Sequence, residues 1–210
     1  NSVDIFLICA LAAALLLCVY SYFSRSHSSL KLSLLREERL EIERKHEKLL
    51  GYYVDMRRKS RYFEDIKSFS KLYNMNKSFV SAIIARESHY DKNAQSGVGA
   101  RGLMQVMKNS GDWISKKLKI ADYSYDSLFD PNINLNIGIW YLSYISSQFK
   151  GNPVMTAAAY HAGPRNVKLW ALKFAKDKQI LDIEDIPKEN TKSYVKKVME
   201  AYSLYYEYDN

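Results

Sequence analysis

From Ile5 to Ser24 the chain carries no charged residue, and Ile5 to Tyr20 is almost wholly apolar. At a helical rise of about 1.5 Å per residue, some twenty residues span about 30 Å, the hydrocarbon thickness of a bilayer. Tyr20, Tyr22 and Phe23 stand at one end, where an aromatic belt belongs. The apolar core is longer than that of a cleaved leader, no small-residue cleavage site follows Tyr22, and neither Cys9 nor Cys18 follows a small residue. The pattern therefore predicts a retained transmembrane anchor over residues 1–24.

The period then changes. Leu32, Leu35, Ile42 and Leu49 fall on a/d-like positions, with Arg39 and His46 on the two between and Glu, Lys and Arg filling the rest. This predicts a charged helical stalk within a linker over residues 25–61, supported by i,i+4 pairs such as Glu41–Lys45 and ended by Gly51. It is too short and too interrupted for a coiled coil. Residues 62–210 alternate apolar helical stripes with tight breaks. Asn76 caps a helix ending near Glu87, Pro131 opens one running through Ile137, Trp140 and Ile145, and Pro153 starts a short one to Tyr160. Gly163-Pro164 separates that helix from the next, and Ile186-Pro187 precedes a last one bearing Tyr194, Val195, Val198 and Tyr202. No alternating strands are read beyond a small hairpin near residues 95–101. The expected fold class is mainly α, one catalytic-sized domain preceded by a membrane helix and a stalk.

About 150 residues are ample for a single core. Both cysteines, Cys9 and Cys18, lie in the apolar run, so no disulfide holds the remainder. All 31 Lys and Arg follow the run against 22 of the 23 acids, leaving +9 on that part. Such a balance suits an anionic polymer or a lipid surface. No basic block or aromatic–basic interleaving points to nucleic acid.

Glu87 breaks the pattern. Val80, Ile83 and Ile84 form one helix face at i, i+3, i+4 spacing, and Glu87 continues it at i+7. A carboxyl there loses water, its pKa rises, and a proton held near neutral pH is what a general acid needs. The alternative is a terminal helix carboxylate paired with Arg86 or Lys92. A glycine-rich stretch, Gly97 to Gln105, begins ten residues on and can bring polar groups close to a ligand.

Four segments between residues 62 and about 205 resemble the catalytic domain of lytic transglycosylases of glycoside hydrolase family 23. They are Ala85-Arg86-Glu87-Ser88; Ser96-Gly97-Val98-Gly99-Ala100-Arg101-Gly102-Leu103-Met104-Gln105-Val106-Met107; Leu128-Phe129-Asp130-Pro131-Asn132-Ile133-Asn134 with Ala159-Tyr160-His161-Ala162-Gly163-Pro164; and Ile186-Pro187 with Thr191 and Tyr194-Val195. The chain departs from the pattern at His161, where Asn is usual, at Asn190, where Glu is common, and at Lys108, where Pro is frequent.

The resemblance implies a lysozyme-like fold, and cleavage of the β-1,4 bond between N-acetylmuramic acid and N-acetylglucosamine in peptidoglycan glycan strands. It implies Glu87 as the catalytic acid and base, with Ser96, Gln105, Met107, Tyr160 and Tyr194 binding substrate, and no metal or cofactor. Asp91 reads as a surface or capping acid, so the site offers one carboxylate where most glycosidases use two. With one acid the substrate must supply the nucleophile, and the resemblance implies that the muramic acetamido group does so and that a 1,6-anhydro ring results. Without the resemblance, Met107, Tyr160 and Tyr194 read as core packing; Trp113, Trp140 and Trp170 read as core, with a cleft tryptophan stacking on sugar as the alternative. A goose-type lysozyme-like hydrolase and a non-catalytic wall-binding module of an envelope assembly are the other readings. Arg25 and Lys31 after the span favour a cytoplasmic domain. The substrate favours the periplasmic side of the inner membrane, and that placement is the expectation here.

Overall fold

The computed structural model describes the backbone of residues 2–176 and 179–209, and side chains within those limits except at 2–14, 24–28, 48, 52, 53, 55, 208 and 209. The chain divides into two compact units, residues 1–53 and residues 54–210.

The first unit belongs to helix α1 (Ser2–Lys59). Its described apolar side chains, from Leu15 to Leu50, are exposed. The stalk pairs are formed, Lys45 to Glu41 and Arg39 to Glu43, each at 2.9 Å. Gly51 does not end the helix, contrary to expectation. A glycine stops a helix by turning left-handed and letting its N–H close on an earlier carbonyl, and Gly51 is not among the positive-φ glycines. Left in the interior it costs only about 1 kcal/mol against Ala. No helix of the described residues is long and apolar enough to cross a membrane. Of the span expected over 5–24, the side chains of residues 5–14 and of Ser24 lie outside the described residues.

The second unit is built from α2 (Phe63–Leu72), α3 (Lys77–Ser88), α4 (Lys108–Lys117), α5 (Pro131–Gln148), α6 (Pro153–Ala162), α7 (Pro164–Phe174) and α8 (Glu189–Asp209). The local chemistry explains the boundaries. Asn76 accepts from the Ser78 and Phe79 N–H groups, Asp130 from Ile133, and Asn152 from Met155, and proline follows directly on the last two caps. α3 ends at His89, which is left-handed with φ 49° and returns its N–H to the Ala85 carbonyl.

Helix α3 is the centre of the core. The sequence suggests one buried face, but Phe79, Val80, Ser81, Ala82, Ile83, Ile84 and Ala85 are all buried. A helix apolar almost all round belongs inside. It packs chiefly on α8, which buries Val195, Val198 and Tyr205, and α8 also covers α6. Each fully buried aliphatic side chain contributes about 1.5–3 kcal/mol. In α5, Gly138 leaves room for Met104; a Cβ there would overlap the methionine side chain. Among the described residues the strand content is two isolated antiparallel bridges, Gln95 with Arg101 and Arg101 with Val106, at the place of the expected hairpin.

Candidate active site

The last turn of α3 carries Glu87 out of the core. Val80, Ile83 and Ile84 are fully buried, whereas Glu87 is half-buried. Its partner is a phenol rather than a cation: Tyr194 Oη, from α8, donates to Glu87 Oε1 at 2.6 Å. Burial raises the carboxyl's pKa; the Tyr194 hydrogen bond and the neighbouring Arg86 charge pull it partly back. Arg86 lies over the Tyr194 ring, 5.8 Å from its centroid. Asp91 is exposed and caps its own turn, accepting from the Asn93 N–H at 2.9 Å.

Tyr160, on α6, reaches the loop near Glu87. Its hydroxyl donates to the Met104 carbonyl at 2.7 Å, and its ring lies 5.8 Å from that of Tyr141. Burial holds the phenols of Tyr160 and Tyr194 well above their ordinary pKa, and the charge of Glu87 pushes both the same way. Both are therefore fixed hydrogen-bond donors at neutral pH.

The glycine-rich loop is held from below by two side chains. Ser88, buried at the end of α3, donates to the Leu103 carbonyl at 2.7 Å. Asn134, fully buried on α5, accepts from the Met104 N–H at 2.8 Å and donates to the carbonyls of Arg101 and Leu128. Gly102, with φ +74°, passes so close that any Cβ would strike the Asn134 amide and the Leu128 carbonyl. In the sequence Asn134 is one more polar residue of its motif, with no visible role. The available signal was an amide at i−3 and i−4 from Ile137 and Gly138, on a face that is otherwise apolar.

Two expected binding residues are already engaged with the loop. Ser96 Oγ accepts from the Ala100 N–H at 2.9 Å. Gln105 is left-handed at φ 48°, and its amide nitrogen donates to the carbonyls of Ala94 and Gly102. Met107 precedes α4 and is 44 % exposed. Lys108 starts α4 in proline's place and pairs with Asp112 at 2.6 Å. Trp113 is not core: it is 39 % exposed and stands edge-on to Trp140 and Tyr144. Trp140 and Trp170 are half-buried. Among the described residues, no three His, Cys, Asp or Glu side chains gather in a group able to hold a metal ion.

A half-buried acid with a raised pKa, a phenol donating to one of its oxygens and a pinned loop beside it can deliver and recover a proton. Residues 65–183 match the family model described as "Transglycosylase SLT domain". The chain is 37 % identical over 149 residues to the soluble lytic murein transglycosylase of Escherichia coli K12, covering 70 % of this chain and 23 % of that protein. It is 31 % identical over 108 residues to the membrane-bound lytic murein transglycosylase C of Sodalis glossinidius, covering 50 % of this chain and 30 % of that one. An X-ray structure of an inactive glutamate-to-glutamine mutant of lytic transglycosylase Slt from Pseudomonas aeruginosa superposes with a TM-score of 0.63 at 36 % identity, over 69 % of this chain and 24 % of that one. The chain thus spans about a quarter of the length of the Escherichia coli and Pseudomonas aeruginosa relatives.

Proposed function

Since the chain belongs to the transglycosylase SLT domain family, we propose that it is a peptidoglycan lytic transglycosylase whose single catalytic group is Glu87. The Tyr194–Glu87 hydrogen bond carries this reading. It occupies Oε1 and leaves Oε2 to bear the proton toward a glycosidic oxygen. Burial keeps that proton on the carboxyl to higher pH than usual. A glutamate-to-glutamine change inactivates a relative of 36 % identity, which fits a mechanism resting on one carboxyl.

The reaction follows from that group. Glu87 protonates the oxygen joining N-acetylmuramic acid to N-acetylglucosamine, and the C1–O bond breaks. The muramic acetamido oxygen attacks C1 and stabilises the positive charge, taking the place of a second carboxylate. Glu87, now a carboxylate, removes the proton from the sugar's C6 hydroxyl. The C6 oxygen then displaces the acetamido oxygen at C1 and closes a 1,6-anhydro ring. Glu87 ends protonated, and no water is consumed. Tyr194 steadies the carboxylate, Tyr160 faces the acetamido group, and the oxygens of Ser96 and Gln105 receive sugar donors. Met107 lies against the sugar face.

The reading includes an anchor over residues 1–24 in the inner membrane and a periplasmic domain. Its support is the uncharged run from Ile5 to Ser24 and a relative named as membrane-bound. Protease added to intact spheroplasts should digest the domain; full protection before lysis would overturn the placement. Mass spectrometry of products from purified cell wall tests the chemistry. Muramic ends one water lighter than the hydrolysed form are expected. Reducing muramic ends as the main product would make the protein a lysozyme-like hydrolase, and an inert domain would leave a wall-binding role.

A further inference from the structure

His161 and Asn190, the two departures from the resembling pattern that lie beside the site, are joined to each other. His161 Nδ1 lies 3.1 Å from Thr191 Oγ1. Thr191 Oγ1 in turn lies 3.5 Å from Asn190 Oδ1, which also accepts the Thr191 N–H at 2.8 Å. Thr191 is buried on α8, one turn before Tyr194, so the two residues share a helix face. The His161 ring lies against the Tyr194 ring, centroids 4.5 Å apart and planes tilted by 32°. His161 therefore grips α8 at two points on one face. At the second point sits the phenol that donates to Glu87.

We propose that His161 is a positioning residue for the general acid: its ring, oriented by Thr191, holds the Tyr194 phenol on Glu87 Oε1. The inference rests on the reading of Glu87 as that acid. An asparagine cannot supply the ring contact, so the device belongs to this chain. A ring pair at this distance contributes beyond the area it covers, and it restricts rotation of Tyr194 about its side-chain bonds. The charged and titratable groups that act on His161 are Arg86 from α3, Lys188 before α8 and Tyr194 from α8. Burial, Arg86 and Lys188 all lower the His161 pKa, which keeps the ring neutral at neutral pH. A neutral ring packs on Tyr194 without adding a third cation beside Arg86 and Lys188.

The test is steady-state kinetics of the full-length protein on soluble glycan strands, with a double-mutant cycle. His161→Ala should lower kcat about tenfold by letting the proton relay drift, with KM little changed. His161→Phe, which keeps a ring and loses only the Thr191 bond, should retain kcat within about threefold. Where Tyr194→Phe has already removed the phenol, His161→Ala should add less than about a further twofold. His161 is exposed, so truncating it opens no core cavity, and His161→Phe reads the ring contact even if the alanine variant is unstable. Independent, multiplying losses, or a rise in KM at constant kcat, would overturn the positioning role. Glu87→Gln separates the two levels: an inactive Glu87→Gln with multiplying losses sinks this inference alone, and an active one sinks the underlying reading with it.

Discussion

Tyr194 and Glu87 are 107 residues apart in sequence and 2.6 Å apart in space. The bond ties the end of α3 to the face of α8, the helix on which α3 chiefly packs. The core and the site are therefore one construction: the apolar stripe that buries Val80, Ile83 and Ile84 delivers the acid, and the helix covering that stripe delivers its partner.

Removing the phenol has a signed effect on pH dependence. Burial raises the Glu87 pKa and the Tyr194 bond lowers it. Tyr194→Phe deletes the lowering contribution, so the pKa rises further. Activity that needs protonated Glu87 fades as pH climbs through that pKa. The alkaline limb of the kcat/KM profile should move to higher pH in Tyr194→Phe, while kcat falls. A limb that stays put or moves down would show that another group sets it.

Asn134 should matter more to stability than its absence of chemistry suggests. Its amide satisfies one N–H and two carbonyls beneath the glycine-rich loop. Asn134→Ala leaves those groups buried and unpaired, at a cost of about 3 kcal/mol. Urea unfolding of wild type and variant measures it; a loss under about 1 kcal/mol would mean that water replaces the amide. Gly102→Ala should be worse, because it combines positive φ with collision against both the Asn134 amide and the Leu128 carbonyl.

The acid also sets a trade between activity and stability. In the folded state the Glu87 pKa lies above its ordinary value of 4.5. The folded state thus holds that proton more tightly than the unfolded chain does. Its contribution is fully present below the unfolded pKa and is lost as pH rises through the folded one. Glu87→Gln is neutral throughout. Its Tm should match wild type at pH well below 4.5, exceed it as pH rises through the folded pKa of Glu87, and hold a constant lead above that. A Tm difference independent of pH would contradict the raised pKa.

Much of this arrangement was legible in the sequence because it is local. Asn76, Asp130-Pro131 and Asn152-Pro153 announce their helix starts through caps and fixed φ, and each start lies where the pattern puts it. Glu87 stood out as an acid at an apolar position. What escaped was contact between distant segments. Gly51 reads as a stop, yet a helix ends there only if the backbone turns left-handed, and it does not. Asn134 looks like one more polar residue until α5 is placed under the loop. Ser96 and Gln105 carried an expected substrate role; their bonds to the loop backbone were not visible in their spacing. Trp113 reads as core or as a cleft ring, and the fold leaves it partly exposed.

The most direct test is digestion of purified cell wall by wild type and Glu87→Gln, with folding checked by circular dichroism. Glutamine keeps the shape and can still accept from Tyr194, but it has no proton to give or regain. The variant should fold normally and release soluble fragments at least about a thousandfold more slowly, the scale on which general acid–base groups act. Release at a rate near wild type by a folded Glu87→Gln would contradict Glu87 as the catalytic group.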